Sequence, residues 1–394
     1  MKITIITPTF PYPIRGLPGL YGLERYSENL AINLKKIGHD VRIITTFWNG
    51  GKRHDFYKGI PILRILDSKA LLGKLGAIFY LNYITFGINL LREKNFMFYK
   101  DSDIIILNLA IPSLLAFKIK NITIYSIFHH RQPIEFMSYH ITYPFLHYME
   151  KRQFRRFKNV ITVSNASKND IIKYYDLNEK DIKVIPNGIN TKKFNPKNSS
   201  GEIRKKYGEN ILLYSGMMIP RKGIPILIKA ISHVIKQISE VNLILIGEGP
   251  NLERWKRLSI SLGIKKNISF LGFVKEEDLL KFYATCDIYV FPSWREGFGQ
   301  AILEAMASGA AIICADKPPM SEIIGNGGIT FKVNDSKDLA MKIIKLSKNK
   351  EHLKILKENA IKRAKKYSWE RIIKHYDEYL KKIRNSFPKF SNHI

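Results

Sequence analysis

Short apolar runs alternate with stretches of helical spacing along the whole chain, and midway the alternation breaks off and restarts. An apolar run bounded by turn residues and followed by an amphipathic helix reads as a parallel strand covered on both faces. In the first series the strands are expected at residues 2–7, 41–46, 104–109, 122–128, 160–163 and 182–185. The first two enclose a helix from about residue 24 to 37, ended by Gly38, a residue type that tolerates a left-handed cap. The second series places strands at 211–215, 243–246, 268–271, 288–291, 311–314 and 329–333. This pattern predicts an α/β chain with two doubly wound Rossmann-like domains facing a central cleft, since open parallel sheets bind ligands at the carboxyl ends of their strands.

Boundaries follow from the polar residues. The run 191–201, with Asn195, Pro196, Asn198, Ser199, Ser200 and Gly201, looks like a connecting segment. The expected division is a first domain at 1–190, a linker at 191–205, a second domain at 206–368, and a closing segment at 369–394. Ser368 can cap a last helix from about 369 to 383, expected to pack back on the first domain.

The chain of 394 residues carries 64 basic and 34 acidic side chains, a formal net charge of +30. Such a field attracts polyanions, so nucleic acid, an anionic membrane surface and phosphorylated small molecules all fit it. Only Cys286 and Cys314 are present, each inside an apolar stretch, and the first residues read as a strand and not as a signal peptide. A cytoplasmic setting is expected. Residues 75–91 are uncharged but contain Gly76, Asn82, Thr85, Gly87 and Asn89, which suits a buried or interfacial helix better than a membrane span.

Three loops after strands could carry chemistry. The first contains Gly16, Gly19 and Gly22 and leads into the helix with Glu24; such a loop can bring amides to a phosphate, although its spacing is not G-x-G-x-x-G. In the second series Ser215 and Gly216 close a strand, and Arg221, Lys222 and Gly223 precede a helix, where cations can neutralise a diphosphate. The third is the run Glu296 to Gly309. Glu296 stands in the loop and Glu304 inside the following helix among Ala301, Ile302, Leu303, Ala305 and Met306, an improbable place for a merely solvated carboxylate. Two such carboxylates can flank a polyhydroxylated ligand.

That last run reads E-G-F-G-x-x-x-x-E-A-M-A-x-G, and it resembles the signature of glycosyltransferase family 4, the large family of retaining GT-B enzymes. Supporting matches are 184–194 (VIPNGINTKKF), 246–250 (IGEGP), 270–273 (FLGF), 287–293 (DIYVFPS) and 38–41 (GHDV). The resemblance implies transfer of a sugar from a nucleotide-diphosphate donor, UDP- or GDP-linked, to an acceptor hydroxyl on a lipid-linked or cell-surface glycan. It implies retention of configuration, no metal and no cofactor beyond the donor itself. Glu304 would then bind the ribose, Glu296 with Gly297, Phe298 and Gly299 the transferred sugar, and Lys222 the diphosphate. The glycines Gly216 and Gly247, with Glu248, would line the donor site, and His129 (or its neighbour His130) would match the histidine of the first domain. Where the family carries an arginine five residues before its lysine this chain has Met217, with Arg221 as the nearby replacement charge.

Asp101, Ser102 and Asp103 spell D-x-D but precede their strand, so they read as a chance match, and no Cys/His cluster has zinc spacing. An anionic membrane surface is an expected partner, through Lys151, Arg152, Arg155, Arg156 and Lys158 and the 75–91 stretch. A GT-B-like nucleotide-sugar epimerase is the nearest rival, and a basic nucleic-acid-binding protein, lacking any recognisable recognition module, the more distant one.

Overall fold

The computed structural model describes residues 1–7, 10, 21–47, 52–67, 86, 88–90, 92–108, 123–128 and 159–386. The chain divides into two compact units, Met1–Gly188 with Trp369–Ile394, and Ile189–Ser368.

Among the described residues, the first unit holds β1 (Lys2–Ile6), β2 (Asp40–Phe47), β3 (His54–Tyr57), β4 (Ile60–Asp67), β5 (Ile104–Leu107), β6 (Thr123–Phe128), β7 (Val160–Thr162) and β8 (Ile182–Val184). They form one sheet in the order β3-β4-β2-β1-β5-β6-β7-β8. Alternation along each strand divides its side chains between two faces. Ile3, Ile5, Ile43, Ile104 and Ile106 pack with Leu30 and Leu34 of α1 (Tyr21–Lys36) and with Ile372, Tyr376 and Leu380 of the C-terminal helix Trp369–Ser386. Ile6, Ile44, Ile105 and Leu107 form the opposite core with Phe86, Leu90 and Tyr99.

This sheet differs from the expected parallel one at its edge. β3 pairs antiparallel with β4 through a two-residue turn in which Lys58 and Gly59 both have positive φ, 50° and 72°. That is the conformation hairpins favour because its twist matches the strands, and Lys-Gly is a weaker written signal for it than Asn-Gly.

The second unit is wholly parallel. Its strands β9 (Asn210–Ser215), β10 (Val241–Ile246), β11 (Ile268–Gly272), β12 (Ile288–Phe291), β13 (Ala311–Ala315) and β14 (Gly328–Phe331) lie in the order β11-β10-β9-β12-β13-β14. In the unit's own sequence numbering that is 3-2-1-4-5-6, the doubly wound Rossmann order. The order reverses between β9 and β12, so the crevice for a ligand opens beyond the carboxyl ends of those two strands.

The expected linker at 191–205 proves to be folded structure of this second unit. Asn195 caps a short 3-10 turn at Pro196–Asn198, and Ser200 caps the helix α2 (Gly201–Tyr207). The polar residues that suggest a connector are helix caps, which the same residue types serve. From α2, Arg204 grips Asp287 at 2.7 Å. Burial raises the Asp287 carboxyl, but Arg204, Lys357 and the Ile211 amide outweigh it and hold the acid below its ordinary range.

No helix among the described residues is long and apolar enough to cross a membrane. Within the 75–91 stretch only 86 and 88–90 are described, with Phe86 and Leu90 buried and Ile88 exposed.

Candidate functional site

The second unit gathers its candidate residues at the point where the strand order reverses. β9 ends at Ser215, and the chain runs through Gly216 and Met217 to a 3-10 turn, Pro220–Lys222, which presents Arg221 and Lys222. Gly223, in the left-handed conformation, bends the backbone from that turn into α3 (Ile224–Val234). β12 ends at Phe291, and its loop delivers Ser293 and Glu296 before α4 (Gln300–Ala307) begins.

Three donors meet on one oxygen of Glu296. Lys222 Nζ lies 2.6 Å from Oε1, Arg221 Nη1 3.3 Å and Ser293 Oγ 2.5 Å. Arg221 also donates to the Arg295 carbonyl at 3.0 Å. The other oxygen, Oε2, takes no hydrogen bond from the described residues. Burial acts against both charges. On Glu296, only 8% exposed, Lys222, Arg221 and Ser293 outweigh burial and hold the carboxyl below its usual range. On Lys222, burial prevails over the pull of Glu296 and brings the ammonium below the usual lysine range. Phe291 supports Lys222 from below, with the ammonium 5.3 Å from the ring centroid.

Glu304 belongs to a separate set of contacts. It is buried on α4, and Tyr283 of the helix Glu276–Thr285 donates to its Oε2 at 3.0 Å. No side chain caps the N-terminus of α4, whose N-cap position is Gly299.

The ends of β9 and β10 approach at backbone contact. Gly216 N donates to Ile246 O at 2.9 Å and Met218 N to Glu248 O at 2.8 Å. At Gly247, with φ of 133°, an added Cβ would overlap the Gly216 carbonyl. Glu248 itself has an exposed side chain and contributes its carbonyl to this contact. Met217 brings no charge, and its carbonyl accepts from Tyr214 at 3.1 Å.

The structure thus brings Lys222, Arg221 and Glu296 together. Gly297, Phe298 and Gly299 are buried in the loop before α4. Gly22 lies in the first turn of α1, not in a loop before it. Gly16, Gly19, His129, His130 and the basic run 151–158 lie outside the described residues. Asp101 is engaged by Lys2 and Arg42, and Asp103 by the Lys2 amide and Arg384. Among the described residues no three His, Cys, Asp or Glu side chains cluster as a metal set would. Two participants were not anticipated: Ser293, written in the F-P-S before Glu296, and Tyr283, far from Glu304 in sequence.

Two family profiles match consecutive parts of the chain. The profile described as Glycosyltransferase Family 4 covers residues 21–193, and the one described as Glycosyl transferases group 1 covers residues 197–363. The chain belongs to glycosyltransferase family 4. A relative, the uncharacterized glycosyltransferase MJ1069 of Methanocaldococcus jannaschii, is 30% identical over 238 residues, 59% of this chain and 60% of its own length. The chain therefore spans about three fifths of that curated relative. Among solved structures, sucrose-phosphate synthase from Thermosynechococcus elongatus superposes with a TM-score of 0.81 at 19% identity, over 98% of this chain and 99% of that one. Anabaena Alr3699/HepE, solved in complex with UDP and glucose, gives a TM-score of 0.74 at 20% identity, covering 97% and 99%. At that identity the likeness is one of fold, the GT-B fold of two Rossmann-like domains.

Proposed function

We propose that this chain is a retaining glycosyltransferase, moving a sugar from a nucleotide-diphosphate donor, UDP- or GDP-linked, to a hydroxyl of a lipid-linked or cell-surface glycan. The observation that carries this reading is the Glu296 clamp at the strand-order reversal: one carboxylate oxygen is held by three donors while the other takes none from the described residues. A carboxylate fixed in that way is an oriented acceptor for sugar hydroxyls, and the two cations beside it suit the adjoining diphosphate.

In the proposed reaction the bond from the anomeric carbon to the diphosphate oxygen breaks, and the acceptor oxygen bonds to that carbon on the same face. The acceptor proton passes to the departing phosphate. Lys222 shifts from Glu296 toward the growing negative charge, Arg221 assists in place of the arginine absent at Met217, and the uncapped start of α4 adds its dipole. No metal ion has a part in this scheme. Glu304 receives the ribose hydroxyls.

A thermal-shift screen across UDP-, GDP- and ADP-sugars tests the donor. Ligand at a hundred times its Kd should add about 2.7 kcal/mol of stability, and uridine is the first base to try because the Anabaena protein was solved with UDP and glucose. Glu304→Ala is expected to lose the shift, and Glu296→Ala to keep much of it while turning over far more slowly. Full activity in either variant would sink the assignment.

The net charge of +30 supports docking on an anionic membrane where such an acceptor would lie. The protein is expected to co-sediment with phosphatidylserine-containing vesicles at low salt and to be released as ionic strength rises. Failure to bind at low salt ends that part of the proposal.

A further inference from the structure

Behind Glu304 lies a chain of buried hydroxyls that the reaction scheme does not use. Tyr283 donates to Glu304 Oε2 at 3.0 Å, Ser215 Oγ stands 2.6 Å from the Tyr283 hydroxyl, and the Tyr289 hydroxyl is 3.1 Å from Ser215 Oγ and 3.2 Å from the Ser215 carbonyl. All of these side chains are nearly or fully buried. A hydroxyl has one proton to give and a carboxylate only accepts, which fixes every direction in the chain. Tyr283 gives its proton to Glu304, so Ser215 must give to Tyr283, and the one Tyr289 proton goes to Ser215, at its Oγ or its carbonyl. The chain points one way, from β9 and β12 toward the carboxylate, and each link polarises the next. Burial, with Glu304 second, raises the Tyr283 phenol well above its ordinary range, so the donor keeps its proton.

We infer that Tyr283, backed by Ser215 and Tyr289, is the positioning residue that makes Glu304 a selective acceptor for the ribose diol of the donor. This rests on the proposed role of Glu304. With Oε2 tied to Tyr283, the carboxylate plane cannot swing on α4, and the angle at which it meets two vicinal hydroxyls is set from behind. A nucleotide without those hydroxyls gains nothing from that angle. The ring contacts agree with a fixed phenol: Tyr283 packs against Tyr289 with centroids 5.6 Å apart and against Phe194 at 6.1 Å.

The test is calorimetric binding of UDP and GDP and of their 2′,3′-dideoxy counterparts, with donor kinetics alongside, for the wild-type protein, Tyr283→Phe, Ser215→Ala and Glu304→Ala. Tyr283→Phe is expected to weaken ribonucleotide binding and raise the donor KM by about tenfold, in keeping with loss of one hydrogen bond to a charged group. Its kcat should stay within about twofold, since the sugar and diphosphate contacts are untouched. Binding of the dideoxy compound should not change, so ribose discrimination falls. Ser215→Ala removes an inner link and should shift the ribonucleotide the same way by a smaller factor, which keeps the test available should Tyr283→Phe not fold. Equal weakening toward ribose and dideoxyribose nucleotides, or no change in either, overturns the inference. If Glu304→Ala itself preserves the discrimination, the reading of Glu304 fails first. If Glu304→Ala abolishes it and Tyr283→Phe does not, only the hydroxyl chain is at fault.

Discussion

Lys222→Ala is expected to lower kcat/KM for sugar transfer by about 10²–10³-fold, the usual cost of removing one preorganised charge from a site where negative charge develops. The fold should tolerate the change, because Glu296 Oε1 keeps Arg221 and Ser293 as donors. Steady-state kinetics together with a melting curve separate the two effects, and a loss of less than tenfold would remove Lys222 from the diphosphate. Lys222→Arg should recover only part of the rate, since a planar guanidinium does not reproduce a compact ammonium 2.6 Å from its partner. A pH profile adds a second reading. Burial, only partly countered by Glu296, depresses the ammonium's pKa, so donor affinity should fall as pH rises through that lowered value. The alanine variant should lack that limb.

Gly247→Ala is expected to cost the protein about 3 kcal/mol or more, among the largest effects for a single methyl group. Two causes add: the position has φ of 133°, and the new Cβ would overlap the Gly216 carbonyl. For a unit of this size the melting temperature should drop by roughly 10 °C. Because the overlap forces apart the ends of β9 and β10, donor binding should weaken even where the protein still folds. Gly201→Ala is the control. Its Cβ would meet open space at the start of α2, and its stability should stay within about 0.5 kcal/mol of the wild type. A Gly247→Ala protein as stable as that control would show that the strand ends can separate freely.

Much of this architecture is legible in the amino-acid order because burial on both faces of a parallel sheet demands apolar runs, and the helices between them demand their own period. The run through Glu296 and Glu304 can be read for a related reason: a carboxylate among Ile302, Leu303 and Met306 has no solvation to explain it. What escapes the reading is whatever depends on conformation or on distance along the chain. The hairpin at Lys58–Gly59 rests on two positive φ angles. The polar run at 195–200 can be a connector or a pair of caps, and only the hydrogen bonds of Asn195 and Ser200 decide. The Lys222–Glu296 pair joins residues 74 apart and the Tyr283–Glu304 contact residues 21 apart, and no local pattern announces either.

The first unit is made from both ends of the chain, while the second is one continuous piece between them. In the order in which a ribosome releases it, the molecule is a parenthesis whose contents are finished before the closing bracket is written. The face of the first sheet bearing Ile3, Ile5 and Ile104 needs Ile372, Tyr376 and Leu380 to cover it, and those residues emerge only after the whole second unit. The nascent first unit must therefore wait with that apolar wall covered only in part, by α1, so the last helix governs when it can be completed.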